Sequence, residues 1–432
     1  ATRRRFQKDA LDFSNEFLDS IETLPAFNSK GYDRTSFPDG TFTEEGSEIS
    51  ELLDYLDEHV HSSGINAASG KHLGFIPGGG LFASALGDYL AAVYNRYAGV
   101  YFATPGAVKM ENALIRWSGH VMGYEGDFAG NLASGGSIAN LIAITTARTA
   151  KGIKGKDYES TVIYLSHQTH HCVLKDLRVA GLDECILRVI PFDKNFRLNA
   201  KVLREQIEAD VKEGLSPFLI IGNAGTTDTG AIDPLDEMAD IASEFDIWFH
   251  VDGAYGGYFM LTEHGRARKK GINRADSIVI DPHKALFLPF GLGIVLVKSA
   301  KEMRHAHDFQ ANYMQDVEKF NQVLSPAEVS PELTKHFRGL RMWLPLKLHG
   351  VSPFRAALNE KLELARYFYD KIEELGYETG PEPELSVVLF RYVPEDKSRI
   401  NEVNESILKM VQEDGDIFIS STTIDGVYWL RV

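Results

Sequence analysis

Apolar residues follow two rhythms along this chain. Between about residues 105 and 300, short unbroken apolar runs ("TVIYLS", "CILRVI", "PFLIIG", "IWFHV", "SIVI", "GIVLV") alternate with longer stretches. In those stretches, such as "PGAVKMENALIRWSGHVMGY" and "SIANLIAITTARTA", apolar positions recur every three or four residues. Runs that are apolar on both faces read as doubly covered strands. Their alternation with helices predicts an α/β fold with a mostly parallel sheet. The first 65 residues are polar and helical, with "SEISELLDYLDEHV" the clearest amphipathic piece, and hold too little apolar mass for a core of their own. They are expected to pack on something else, such as a second subunit. "GFIPGGGLFASALGDYLAAVYNRY" passes from a glycine-rich turn into a helix. Residues 312–335 are polar and punctuated by proline, the pattern of a loop. A helical pattern over 353–375, a strand "LSVVLFRYV", a further helix and a last strand "VYWLRV" then predict a small α+β C-terminal domain.

Composition narrows the classes. The 432 residues carry a formal charge of −16, which excludes a phosphate-backbone binder, because nucleic-acid affinity rests on clustered Lys and Arg. No apolar run is long enough to span a bilayer, and the N-terminus ("ATRRRFQKDALDF") lacks a signal-peptide core. Cys172 and Cys185 are the two cysteines, so no disulfide framework is implied and a cytoplasmic protein is expected.

Four stretches fall where an open α/β sheet binds ligands, beyond the carboxyl ends of its strands. In "NLASGGSIANLIAI", Gly135, Gly136 and Ser137 precede a helix whose free N–H groups would hold an anion; a glycine turn with a serine N-cap fits equally. In "NAGTTDTGAIDPL", Thr226 and Thr227 directly follow a strand and suit a phosphate or a plain polar turn. In "WFHVDGAYGGYF", Asp252 ends a very apolar strand. A carboxylate there faces a desolvation cost of roughly several kcal/mol unless a cation or strong donor meets it. Gly253 and Ala254 beside it would let a flat group lie close. In "SHQTHHCVLKDL", His167, His170, His171 and Cys172 raise a metal reading. Zinc needs three or four ligands, and no partner cluster occurs elsewhere, so no metal is expected. Finally, "DSIVIDPHKALFLPFG" places Lys284, with His283 beside it, at the end of a buried strand, where a lysine needs a partner or a task. One cofactor uses this whole set. Pyridoxal 5′-phosphate takes a lysine on its aldehyde, a carboxylate on its pyridine nitrogen and small donors on its phosphate. A lysine held as an imine need not strand a charge.

The same residues resemble the group II pyridoxal-phosphate-dependent amino-acid decarboxylases, which act on aromatic amino acids, glutamate and histidine. "HVDGAYGG" is similar to that family's HVDAAYAG and "DPHKALFLPF" to its N-P-H-K-W-L, with "GTT", "SGGSIAN" and "HFRGLRMW" in the same order. The resemblance runs from about residue 70 to 350 and more faintly beyond. It implies fold type I, a homodimer, an amino-acid substrate and decarboxylation to the amine and CO2. It implies Lys284 as the Schiff-base lysine, Asp252 as the ring-nitrogen partner, and Ala254 and His283 against the cofactor. His170 would stack on the ring and support reprotonation, and Gly136, Ser137 and Thr227 would hold the phosphate. Phe75, Pro77 and Phe290 would line the substrate pocket. The implied organisation is an N-terminal helical segment over 1–65 embracing the partner, a cofactor-binding domain over 66–311, a mobile loop and connection over 312–345, and a small domain over 346–432.

Three departures bear on the reaction and the substrate. The family's loop tyrosine, which protonates the carbanion, falls near Pro326 by counting, and Tyr313 lies far upstream. Ala285 stands where aromatic-specific members carry tryptophan, and the glycines at 78–80 also depart from the usual pocket. An aldehyde synthase (oxidative decarboxylation and deamination), an aminotransferase or lyase using Arg431 for a carboxylate, and a non-catalytic homologue are therefore the alternatives.

Overall fold

The computed structural model describes residues 2–29, 42, 44–76, 78–309 and 323–432. Two compact units organise the chain. One gathers residues 1–77, 372–380 and 389–432; the other spans 78–371 and 381–388.

The smaller unit starts with the two-stranded pair β1 (Phe27–Asn28) and β2 (Gly64–Ile65). The larger unit is built on seven strands: β3 (Ala129–Ala133), β4 (Thr161–Ser166), β5 (Ile186–Ile190), β6 (Ser216–Asn223), β7 (Trp248–Asp252), β8 (Ser277–Ile280) and β9 (Gly293–Val297). Their spatial order is β3-β9-β8-β7-β6-β4-β5. β5, β4, β6, β7 and β8 pair in parallel, and β9 runs antiparallel to both β8 and β3. The fold is thus the α/β class expected from the alternating runs. All six apolar runs became strands, and every residue of β4, β7, β8 and β9 is buried. Such burial contributes about 1.5–3 kcal/mol for each large aliphatic or aromatic side chain. β3 was not anticipated. Its sequence "AGNLA" lacks β-branched residues, and the sheet edge rather than propensity makes it a strand.

Register positions the chemistry. Asn223 pairs with Asp252 across β6 and β7, and Asp252 with Val279 across β7 and β8. The carboxyl ends of these strands therefore lie side by side. Helix Gly136–Ala150 follows β3 and packs Ala139, Ile142, Ala143 and Ala147 into the core, so its N-terminus opens at the same edge. The "HFRGLRMW" segment enters a helix over Gly339–His349, which carries an internal proline at 345 and escaped the periodicity reading. It is pinned by Lys335, whose Nζ lies 2.9 Å from Glu111 Oε2 with both side chains fully buried, and which donates to Asn131 Oδ1 at 3.1 Å.

In the smaller unit, β10 (Glu378–Thr379), β11 (Leu389–Arg391), β12 (Ser420–Ile424) and β13 (Val427–Arg431) form an antiparallel sheet in the order β10-β11-β13-β12. Phe418 is its junction with the N-terminal residues. The ring centroids of Phe27, His72 and Phe75 lie 5.4, 5.3 and 5.5 Å from it. Helices Thr2–Ser20 and Ile49–Leu56 bury no residue.

Lys269, after helix Glu263–Arg268, is fully buried 5.7 Å from the Phe259 ring centre, and its Nζ has no hydrogen-bond partner among the described residues. Burial, opposed by the Glu384 charge, pushes its pKa from 10.5 down to about 7. The unfolded chain therefore holds a proton that the folded chain releases between about pH 7 and 10.5. Stability gains up to about 1.4 kcal/mol per pH unit across that window. Denaturant unfolding of Lys269→Met should lack this rise, so the variant's advantage over the parent is largest near pH 7 and shrinks by pH 10. Parallel pH profiles for the two proteins would contradict the burial of an uncharged amine.

Candidate active site

At the sheet edge lies a cavity of about 290 Å³, wholly within the larger unit. Its wall includes Gly136, Ser137, His170, Thr227, Asp252, Ala254, His283 and Lys284, the eight residues singled out for a cofactor. It also includes Thr226, weighed with Thr227 for a phosphate, and Asn140, Cys172, Asn223, Tyr255 and Asp281, which were not singled out as ligands of a cofactor.

The helix start is open. Its N-cap is Gly135, which makes no side-chain cap bond, so the serine-cap alternative is not realised and Ser137 lies inside the first turn. The first N–H groups of a 15-residue helix face the cavity wall without a capping side chain, an arrangement that favours an anion. Across from it, the Thr226 hydroxyl is spent on its own turn, 2.7 Å from Thr229 Oγ1, while Thr227 also lines the cavity.

Asp252 is held by neutral donors. Oδ1 accepts the Ala254 N–H at 3.0 Å and Oδ2 accepts Asn140 Nδ2 at 3.1 Å. The Ala254 bond closes a turn directly after the strand. A carboxylate only accepts, so the Asn140 amide must present Nδ2 to Asp252 and Oδ1 to His250 Nε2, 2.9 Å away. His250 Nε2 then carries the proton, and its bare Nδ1 accepts from Ser277 Oγ at 2.8 Å. Ser277 in turn accepts Trp248 Nε1–H at 2.9 Å. Burial lowers the His250 pKa to about 4, so the imidazole is neutral throughout this chain. Donation runs one way, from Trp248 through Ser277, His250 and Asn140 to Asp252.

Lys284 sits in the single turn Pro282–Ala285 that follows β8, rather than at a strand end, and its Nζ lies 3.1 Å from Asp281 Oδ2. Burial pushes the amine's pKa down, but the charges of Asp281 and Asp252 outweigh it and leave the pKa raised. The half-buried lysine therefore keeps its charge through a counter-ion. His283 Nδ1 is 2.6 Å from the Leu292 carbonyl, and burial lowers its pKa. The glycines at 78–80 have a packing reason. A Cβ on Gly78 would overlap the His283 and Leu288 carbonyls, and one on Gly79 would come within 2.8 Å of Phe287 Cβ, so this strand of chain lies flush on the lysine turn.

His170 caps helix His171–Val179. Its Nδ1 accepts the Cys172 N–H at 3.3 Å, which puts the ring proton on Nε2. Burial and the neighbouring His171 lower its pKa, so it is neutral near pH 7. Cys172 accepts from Asn140 Nδ2 at 3.6 Å, and burial raises its pKa to about 12.

Of the residues expected around a substrate, only Phe290 falls among the described residues of the larger unit, and it does not line this cavity. Phe290 is 60% exposed outside the cavity wall, its ring 6.1 Å from that of His283 and its carbonyl bound by Arg341 Nη1. Phe75 belongs to the smaller unit, 54% exposed at a φ of +56°. Pro77 and Tyr313 lie outside the described residues. Arg431 is buried in the smaller unit and donates to Ser420 Oγ at 2.9 Å. Pro326 is buried in the one-turn 3₁₀ helix Pro326–Glu328, closed by Ser325 and Glu328, and Ala285 is buried.

The missed residues carried local signals. Asp281 precedes Lys284 by three positions, one helical turn. Asn140 follows Gly136 by four on one helix face, and His250 precedes Asp252 by two on one strand face.

The donor set fits pyridoxal 5′-phosphate, with an open helix N-terminus for the phosphate, a carboxylate for the ring nitrogen and an amine for the aldehyde. Close approach is built in as well, since a Cβ on Gly136 would come within 3.3 Å of Ala254 Cβ and 2.8 Å of Asp281 Oδ2. The chain belongs to the pyridoxal-dependent decarboxylases, whose conserved domain matches residues 37–393. It is 35% identical to an aromatic-L-amino-acid decarboxylase of Bacillus atrophaeus, covering 99% of this chain and 90% of that one. It is 26% identical to a phenylacetaldehyde synthase of Petunia hybrida, covering 98% and 88%. The crystal structure of Catharanthus roseus tryptophan decarboxylase in complex with L-tryptophan superposes with a TM-score of 0.91 at 26% identity, covering 100% and 93%. The protein is a pyridoxal-phosphate-dependent amino-acid decarboxylase.

Replacing Asn140 by leucine leaves Asp252 Oδ2 and His250 Nε2 buried without partners, at about 1–3 kcal/mol each. Equilibrium dialysis of Asn140→Leu should show pyridoxal phosphate affinity reduced at least about tenfold. Unchanged affinity would mean that the hydrogen-bond chain does not prepare Asp252.

Proposed function

We propose that this enzyme decarboxylates an aromatic L-amino acid to its amine, using Lys284, Asp252 and His170. One observation carries the assignment of residues: the Lys284 amine, the Asp252 carboxylate and the open start of helix Gly136–Ala150 line a single cavity. The 35% identical aromatic-L-amino-acid decarboxylase supports the substrate class.

Pyridoxal phosphate, when bound, supplies the electron sink that accepts the bond pair left at the α-carbon as CO2 departs. The chain's own groups do the rest. Gly136, Ser137 and Thr227 hold the phosphate, with the helix N-terminus adding its positive end. Asp252, its lone pairs already oriented by Asn140 and Ala254 N–H, would hold the proton of the ring nitrogen. Lys284 provides the covalent anchor. Ala254 and neutral His170, which line the same cavity, would hold the ring. The proton on His170 Nε2 supports return of a proton to the substrate α-carbon, a role left open by the proline at 326. Phe75, Pro77 and Phe290 are the aromatic and rigid residues assigned to the substrate side.

A panel of L-amino acids, read simultaneously for CO2, amine and peroxide, tests this function. Aromatic members should give CO2 and amine in equal amounts without peroxide, and Lys284→Ala should fall to background. Peroxide and ammonia matching CO2 would assign the oxidative reaction, and turnover restricted to acidic amino acids would overturn the substrate class.

The enzyme acts as a homodimer in the cytoplasm. Helix Phe82–Tyr94 leaves Phe82, Leu86, Tyr89 and Val93 exposed along one stripe, and the two unburied N-terminal helices offer a second apolar surface. Both cysteines are free and buried, which suits a reducing compartment. No described helix is long and apolar enough to cross a membrane. Sedimentation should give twice the chain mass for the parent and a shift to the single-chain mass for Leu86→Asp with Val93→Asp. A parent that sediments as a single chain would contradict the dimer.

A further inference from the structure

Asp281 is a second buried carboxylate at the cavity, only 1% exposed, and no role in the reading above uses it. Its backbone is fixed from both sides. Its N–H donates to the Ala254 carbonyl at 3.1 Å, and its carbonyl accepts the Lys284 N–H at 3.0 Å. Its side chain is wedged between two glycines: a Cβ on Gly136 would lie 2.8 Å from Oδ2, and one on Gly293 would lie 2.7 Å from Oδ1. Any side chain at either glycine would displace the carboxylate. Oδ2 contacts the Lys284 amine at 3.1 Å and lies 3.7 Å from His283 Nε2, while Oδ1 has no hydrogen-bond partner among the described residues. A carboxylate so enclosed and so sparsely bonded carries a desolvation cost of several kcal/mol that a matched cation offsets. Lys284 is that cation.

We propose that Asp281 is the positioning residue for Lys284: its wedged carboxylate is the fixed counter-ion that holds the free amine as an ammonium whenever that amine is not bonded to the cofactor. The inference deepens the functional reading above and rests on Lys284 being the cofactor lysine.

The neighbours leave Asp281 this task. The groups facing the amine are Asp252, His170, Cys172 and His283. Asp252 already accepts from Asn140 and the Ala254 N–H, and the functional reading commits it to the ring nitrogen. Cys172 stays a thiol, its pKa raised to about 12. The pKa values of His170 and His283 are lowered by burial, and Arg341 lowers that of His283 further. Burial raises the pKa of Asp281 itself, so Oδ2 is also a competent base. When the ammonium must give up its proton, the Nζ–H bond breaks toward Oδ2. The nitrogen keeps the electron pair for its new bond, and the carboxyl holds the proton until the amine returns.

The test is competitive labelling of the full chain, stripped of pyridoxal phosphate, with acetic anhydride across pH, with the Lys284 peptide read by mass spectrometry. Only the neutral amine is acetylated, so the labelling midpoint reports its pairing. In the parent, the Lys284 midpoint should lie above the ordinary lysine value of 10.5. In Asp281→Asn it should fall by at least about one pH unit. A parent midpoint at or below the ordinary value overturns the proposal with no variant needed, and a midpoint unchanged in a folded Asp281→Asn overturns it independently. A purely structural role would lower the thermal midpoint but leave the labelling midpoint in place. Borohydride reduction of the cofactor-loaded parent, followed by peptide mapping, separates the two claims. A tag on any residue other than Lys284 removes the underlying reading. A tag on Lys284 with an unshifted labelling midpoint removes only the role of Asp281.

Discussion

A sheet whose strands are buried on both faces has one place to keep charge, the ends of its strands, and there every charge needs a partner. Asp252 ends β7, Asp281 directly follows β8 and Lys284 lies one turn later, so three ionisable groups converge where apolar layers stop. The parallel register that sets Asp252 beside Val279 makes this convergence unavoidable. The helix over 136–150, the flush glycines at 78, 79, 136 and 293 and the hydrogen-bonded chain behind β7 are arranged around it.

The two carboxylates are satisfied in different ways, which separates their chemistry. Asp252 accepts hydrogen bonds only from neutral donors, and its charge acts on the Lys284 ammonium without a direct contact. Asp281 is matched by the lysine ammonium, so that pair is close to neutral. Because the imidazole of His250 is uncharged, the chain from Trp248 to Asp252 directs dipoles at the carboxylate without adding a competing cation. An environment built this way would suit a protonated heterocycle set against a carboxylate in a low-dielectric site, where such a charge pair would favour electron withdrawal from a substrate.

Much of this was legible in the chain because the strands are fully buried and therefore read as unbroken apolar runs. The strand-end logic then located Asp252, Thr227, His170 and Lys284 at one edge. What escaped depended on distance in sequence or on context. Asn140 and Asp252 are 112 residues apart, and no local pattern announces that they touch. Asp281 was in plain view in "DPHK", but a strand-end reading of Lys284 hid the one-turn helix that brings the two together. β3 lacks strand propensity and exists because β9 offers it an edge. The helix over 339–349 contains a proline, which masks its period. The joining of the first 77 residues with the last strands into one unit rests on contacts around Phe418 that span nearly the whole chain.

The most direct measurement is a crystal structure of the enzyme grown with pyridoxal phosphate. The account predicts continuous density from Lys284 Nζ into the cofactor, a ring nitrogen within hydrogen-bond distance of Asp252, and a phosphate on the first turn of the helix that starts at Gly136. A cofactor seated with its phosphate elsewhere, or with its ring nitrogen turned away from Asp252, would contradict it.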